Sequence, residues 1–453
     1  MQDPDKIRTY SGRWIYVIAI LWVMYLILDT RNFVASFFPA KHLGFLFLGF
    51  IYLILSYFVI IYPNKIGNFL ARLDYRLGMM SQKYVSVKPL YWLVGVVAIV
   101  IAVTTISCLM LWKYIESVPI APQFADMLPL IRDACDVFLS GTNPYIKQYF
   151  MPWVLPLTFW PGMWMPYLPI RWSGWDLRWL HIATVCFMGL LFIWQLLLLY
   201  KRRDLGVRSI PVLSATLVAL CFFLFSNASI AFAPWGHTAP QWAWIVVFSI
   251  SILWRKQLAT AVGLALLLAT RQTSVIFLPL VWVYWLRTTG SMQASIRLVG
   301  VTGVLYFLLC GPFLLDAPCN FLVSPISHYS ALGELDFTRG VESYSANSIG
   351  LSFTIRSFGG AWLLSISILI ALIAPLLSAW WRIKNEEDLL LHMAFASIVV
   401  VLVAPIPWYY EYFTGLLLIS FGAIAVAAGG CFPQISGRSR YAVSTLPNST
   451  PTG

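Results

Sequence analysis

Runs of about 20 apolar residues, separated by short charged links, recur from end to end of this 453-residue chain. They lie at about 13–29, 43–62, 90–112, 153–170, 178–200, 209–232, 239–254, 257–286, 295–315, 358–381, 389–405 and 408–430. A run of this length crosses the hydrocarbon core as a helix, which satisfies its own backbone hydrogen bonds there. The pattern therefore predicts an all-α polytopic membrane protein. Short alternating strands, which a transmembrane barrel needs, are not seen in the pattern. Longer links fall at 63–89, 113–152 and 316–350. The organisation expected is two N-terminal spans with a basic loop (1–89), a membrane core (90–430) and a polar Ser/Thr/Pro-rich tail (431–453). The tail is expected to be disordered and cytoplasmic. The N-terminal "MQDPDKIRTYSGRW" runs into the first span without a small-residue cleavage site, so that span is expected to be retained.

The segment "WVLPLTFWPGMWMPYLPI" (153–170) decides the topology. It holds Pro156, Pro161, Pro166 and Pro169, and each interior proline removes a helical hydrogen bond. If it enters and leaves on one side, and if 257–286 is two short legs bent at Ala269–Thr273, 20 of the 30 Lys and Arg fall in the cytoplasm. If 153–170 spans, only 13 of 30 do. The positive-inside rule favours the first arrangement. Broken apolar backbone at membrane depth is tolerated where it is buried in protein or lines a cavity, so a cavity is expected there.

Composition sharpens this picture little. Hydrophobic residues make up 60% and charged residues 11%, against about 25% charged in soluble domains. The net charge of +12 matches the basic bias of cytoplasmic loops and does not call for nucleic acid. The seven cysteines have no metal-ligand spacing.

With that topology the unusual polar residues gather on the non-cytoplasmic face. Ionisable groups at membrane depth are costly, and their default reading is functional. In "PQFADMLPLIRDACDVFLSGTNPY" a short helix is expected over about 128–140, opened near Pro129 and stopped by Gly141. Asp126 stands just before it, as a helix cap or as a base. Asp133 and Asp136 fall on the helix itself, in supporting or solvated roles. Arg271, at the bend between the two legs, suits a phosphate or a lipid headgroup. His237 and His328 are phosphate-binding or structural candidates. Glu334-x-Asp336 leaves a divalent metal open, and no P-loop, dinucleotide fingerprint or Ser-His-Asp signature is present. Trp408, Tyr410 and neighbouring aromatics suit either an interfacial belt or sugar stacking.

Four stretches, in order, resemble the GT-C glycosyltransferases, in particular the polyprenol-phosphate-mannose-dependent branch. They are "DMLPLIRDACDVFLSGTNPY" (Asp126 to Tyr145), "ATRQTSVIFLPLVW" (Ala269 to Trp282), "SANSIGLSFTIR" (Ser345 to Arg356) and "APIPWYYEYF" (Ala404 to Phe413). The departures are Arg271 where the branch has Lys, and Tyr409-Tyr410-Glu411 where it often has His. The resemblance covers most of the chain after about residue 90. It implies a GT-C-like bundle of about 11–13 transmembrane helices with a re-entrant or short-helix segment, its active site formed by external loops 113–177 and 316–357. It implies a polyprenyl-phosphate-linked sugar donor, a glycolipid or glycan acceptor, membrane lipids as surroundings and no cofactor. Asp126 then becomes the general base, and Arg271, His237 and His328 the donor-phosphate residues. Asp133, Asp136, Gln272, Asn347, Trp408, Tyr410 and Glu411 become supporting or acceptor residues. The site would face outward from a bacterial cytoplasmic membrane. A transporter or flippase of a lipid-linked or small polar solute is the alternative.

Overall fold

In a computed structural model the structure describes residues 89–122, 126–151, 154–201, 237–346, 348–406 and 412–427, with isolated positions between 43 and 54. The expected spans at 13–29 and 209–232, most of 43–62, and the tail lie outside the described residues.

The described chain is mostly helical. The helices are α1 (Pro89–Ser117), α2 (Met127–Leu139), α3 (Pro161–Trp164), α4 (Leu168–Trp172), α5 (Trp179–Lys201), α6 (Ala239–Leu253) and α7 (Gln257–Leu268). After them come α8 (Phe277–Thr289), α9 (Met292–Asp316), α10 (Pro318–Thr338), α11 (Ser352–Arg382), α12 (Glu386–Val403) and α13 (Tyr412–Ala427). Three stretches, Leu93–Ser117, Met292–Asp316 and Ser352–Arg382, are long and apolar enough to cross a membrane, as expected of a multi-pass membrane protein. Helix ends follow local chemistry. Ser291 Oγ accepts from Ala294 N at 3.2 Å to start α9. Asn385 Oδ1 accepts from Asp388 N while Asp388 Oδ2 accepts from Lys384 N, a reciprocal cap on α12. Gly290, at φ +65, closes α8. Inside α11 the backbone breaks at Gly360 (φ 68, ψ −167), which separates an initial turn from the long apolar stretch.

Two features depart from the sequence expectation. The chain is not wholly helical: Gln148–Phe150 (β1) and Val154–Pro156 (β2) pair as a short antiparallel ribbon. Proline-rich chain that cannot continue a helix settles into this ribbon instead. The 316–350 link is also not loop throughout. Pro318 sits in the first turn of α10, and the helix runs to Thr338 before Gly340 at φ +61.

The two-leg reading of 257–286 is borne out. α7 and α8 meet through a 3-10 turn, Gln272–Ile276. Arg255, two residues before α7, and Tyr284, near the end of α8, both reach Glu386 Oε1 at the start of α12. Both feet of the hairpin therefore stand at one end of the bundle, and its tip carries Arg271 to the other. Glu386 is 9% exposed, so its charge is tolerable only with these partners. Arg255 is the one non-glycine with positive φ (51) among the described residues. Its N–H caps α6 through Ile252 O. Tyr284→Phe removes a 2.7 Å hydrogen bond to a buried carboxylate. The expected cost is about 1.5–3 kcal/mol, seen as a lower thermal midpoint in lipid nanodiscs.

Candidate functional site

The segment that was expected not to span forms no continuous helix. After β2 it folds as α3, a 3-10 turn (Met165–Tyr167) and α4. Trp160, Met163, Trp164 and Tyr167 are buried, each such side chain worth roughly 1.5–3 kcal/mol of burial. The segment packs on the tip of the α7–α8 hairpin: Trp160 N donates to Thr270 O at 3.2 Å and Gly162 N to Ala269 O at 2.7 Å. A Cβ on Gly162 would lie 2.8 Å from Leu266 O and 2.9 Å from Ala269 O, both backbone. Gly162→Ala must therefore push the tip away. An expected loss of about 1–3 kcal/mol, measured as a fall in thermal midpoint, follows from that overpacking.

The Gly-Thr-Asn-Pro-Tyr turn ties α2 to the same place. Gly141, at φ +81, stops the helix, and Thr142 N closes back on Val137 O. Asn143 Oδ1 accepts from Tyr145 N, and its amide donates to Asp316 at the end of α9. Tyr145 Oη donates to Phe159 O at 2.6 Å and accepts from Trp164 Nε1. The turn thus holds the backbone beside the site.

Arg271 stands at the hairpin tip, 7% exposed. Its Nη2 lies 2.7 Å from His237 Nε2. A guanidinium only donates, so Nε2 accepts and the ring's proton sits on Nδ1. Burial first, then Arg271 and to a lesser degree His181, hold His237 well below the usual imidazole range, and the ring is neutral. Phe159 lies against both partners, 4.2 Å from the His237 ring centroid and 5.7 Å from the guanidinium carbon. Gln272 Nε2 donates to Thr158 O. A narrow cleft of about 20 Å³ reaches Arg271 between α6, the hairpin tip, α12 and α13. Gln241, Thr273, Ser274, Ser397 and Thr414 give its walls hydroxyl and amide groups.

The fold thus brings together Arg271, His237 and Gln272, residues that the sequence proposed separately. Asp126 stands where expected, immediately before α2, which begins at Met127. Its backbone C=O accepts from Leu130 N, but its side chain makes no cap hydrogen bond. Burial pushes its carboxyl above the ordinary aspartate value, offset in part by a hydrogen bond to its own backbone. Among the described residues no contact joins Asp126 or His328 directly to Arg271. His328 lies half-buried on α10 against Tyr329, and burial lowers its pKa.

Asp133 and Asp136 are both ion-paired. Asp136 makes a two-point ion pair with Arg171 at 2.6 and 2.8 Å, joining α2 to α4, and Asp133 pairs with Arg132. Asp336 accepts from Tyr344 N and Ser345 N, and Glu334 pairs with Arg356, so these two carboxylates serve different partners. Asn347, Trp408, Tyr410 and Glu411 lie outside the described residues. Next to them, Tyr412 Oη donates to Ile349 O at 2.6 Å and Leu351 N to Leu402 O at 2.7 Å. These bonds bind the 345–351 stretch to the ends of α12 and α13. Sequence reasoning missed the ring contact of Phe159 and the burial of His181; the only signal for either was position beside a residue already singled out.

No family model, no curated protein and no solved structure matches this chain.

Proposed function

We propose that the chain is a GT-C-like membrane glycosyltransferase that takes a sugar from a polyprenyl-phosphate donor on the non-cytoplasmic face. The observation that carries the reading is Arg271: a buried guanidinium at the tip of a short hairpin, backed by a neutral imidazole and opening on a cleft of hydroxyls and amides. That is the chemistry of an oxyanion or phosphate seat. An apolar donor tail would lie along the bundle while its phosphate meets Arg271, and such a donor needs no nucleotide cradle. The C1–O bond to the phosphate breaks, the acceptor oxygen bonds C1 with inversion, and its proton passes to Asp126. Arg271 stabilises charge growing on the leaving phosphate.

On this reading the N-terminal and central apolar segments complete a bundle of about 11–13 transmembrane helices. The chain would sit in a bacterial cytoplasmic membrane and act on a glycolipid or glycan hydroxyl. The test is purified full-length protein in lipid with polyprenyl-phosphate mannose, related hexose and pentose donors, and a glycolipid extract. Sugar transfer dependent on Arg271 is the expected result. Movement of the lipid-linked sugar across proteoliposomes without transfer would instead favour a flippase.

A further inference from the structure

Two cysteines 78 positions apart meet where α1 packs on α5. Cys108 and Cys186 are free thiols, both half-buried, with their sulfurs 3.4 Å apart. That is van der Waals contact, and a disulfide brings the sulfurs to about 2.0 Å. The meeting is held by contacts on either side, along two antiparallel helices. One turn before Cys108, Thr104 faces Gly189, where an added Cβ would lie 2.5 Å from Thr104 Oγ1. A glycine so placed lets two helix backbones approach closely. Leu111 and Val185 form a small apolar cluster with Cys108 and Ile182. Trp112 and Trp179 then meet edge to face, 4.9 Å apart by ring centroid. Arg178 ends the run. It is 2% exposed, donates to Ile115 O at 3.0 Å and to Val118 O, and pairs with Asp176.

These contacts fix one register of α1 against α5, and that register sets sulfur opposite sulfur. The pair also lies near one end of the helices. Lys113, the first charged residue of α1 after Cys108, follows it by five positions, or about 7.5 Å of helix. On the topology expected from the basic residues, this end of α1 faces outward, where disulfides form and persist.

We propose that Cys108 and Cys186 form a redox-sensitive staple, which a small disulfide oxidant closes into an intramolecular disulfide joining α1 to α5. Two exchanges complete the step. One cysteine sulfur attacks the oxidant's S–S bond, forming a mixed disulfide and releasing half of the oxidant as a thiol. The second cysteine sulfur attacks the first, forming the Cys108–Cys186 bond and releasing the other half as a thiol. The two cysteine protons end on the two released thiols, and the two electrons lost by the cysteines reduce the oxidant's S–S bond. The link would close a long loop and so restrict the unfolded chain. That loop contains Asp126 and the whole of the broken segment through α4. The staple is independent of sugar transfer and stands whether or not Arg271 seats a phosphate.

The experiment uses the reduced full chain in nanodiscs, treated with dithiodipyridine, an apolar disulfide that releases a coloured thiopyridone. Peptide mass mapping then locates each product. In wild type, the Cys108 and Cys186 peptides should be joined, with two thiopyridones released for the pair and no pyridyl adduct on either. Cys319, which is exposed, should keep a stable pyridyl adduct and serves as the internal control. The linked protein should melt a few degrees above the reduced one, and dithiothreitol should reverse the rise. Cys108→Ser should leave a pyridyl adduct on Cys186 and show no such rise. Stable adducts on both cysteines of wild type overturn the proposal. So does a pair that stays unmodified while Cys319 reacts, and so does a link that forms without raising the thermal midpoint.

Discussion

Asp126→Asn is expected to lower sugar transfer by about 10²–10⁴-fold, the usual contribution of a positioned general base. It should act on kcat and leave the donor KM near its original value, because Asn keeps the shape and loses only the proton acceptor. Stability should move the other way. Burial raises the Asp126 pKa above its ordinary 3.8, so the folded state holds that proton more tightly than the unfolded state does. Stability from this group is therefore greatest at low pH and falls as pH rises from the ordinary value through the raised one. Asn carries no such charge, so the variant should melt at a higher temperature than wild type at neutral pH. On the proposed role, activity has the opposite dependence, since a general base works only when ionised. The acid limb of the wild-type rate profile should lie above that of an ordinary aspartate. A variant both slower and less stable would mark Asp126 as a structural residue.

Arg271→Ala should cost about 10²–10³-fold in transfer, comparable with removing one strong donor from an oxyanion site. Arg271→Lys should recover part of the loss. Lysine restores the charge but not the planar fork that His237 and Phe159 hold in place. Farnesyl phosphate binding should fall in the same order, with wild type tightest, then lysine, then alanine. Equal transfer by wild type and Arg271→Ala would remove the phosphate from this position altogether.

Much of this was legible in the chain itself. The prolines of 153–170 forbid a straight span, and the distribution of Lys and Arg asks for a bend near Arg271. Both follow from one-dimensional rules, proline geometry and charge sidedness. The short helix before Gly141 is legible for the same reason, and its bounds differ by a single residue from those expected. What escapes such rules is pairing across distance. His237 and Arg271 are 34 positions apart, and Arg255 and Glu386 are 131 apart. No periodicity couples residues on helices that meet only when the bundle closes. Asp136 meets the same limit. The sequence places it on α2 in a supporting or solvated role, and only the fold pairs it with Arg171, 35 positions on.

The burial of Arg271 has one more implication. The guanidinium is 7% exposed and opens on the cleft between α6, the hairpin tip, α12 and α13. On the proposed reading, a phosphate seated there sits away from bulk water. Water competes with any acceptor alcohol for an activated sugar, and a recessed seat lowers its local concentration. The burial of Arg271 would thereby bias the chemistry towards glycoside formation and away from wasteful hydrolysis.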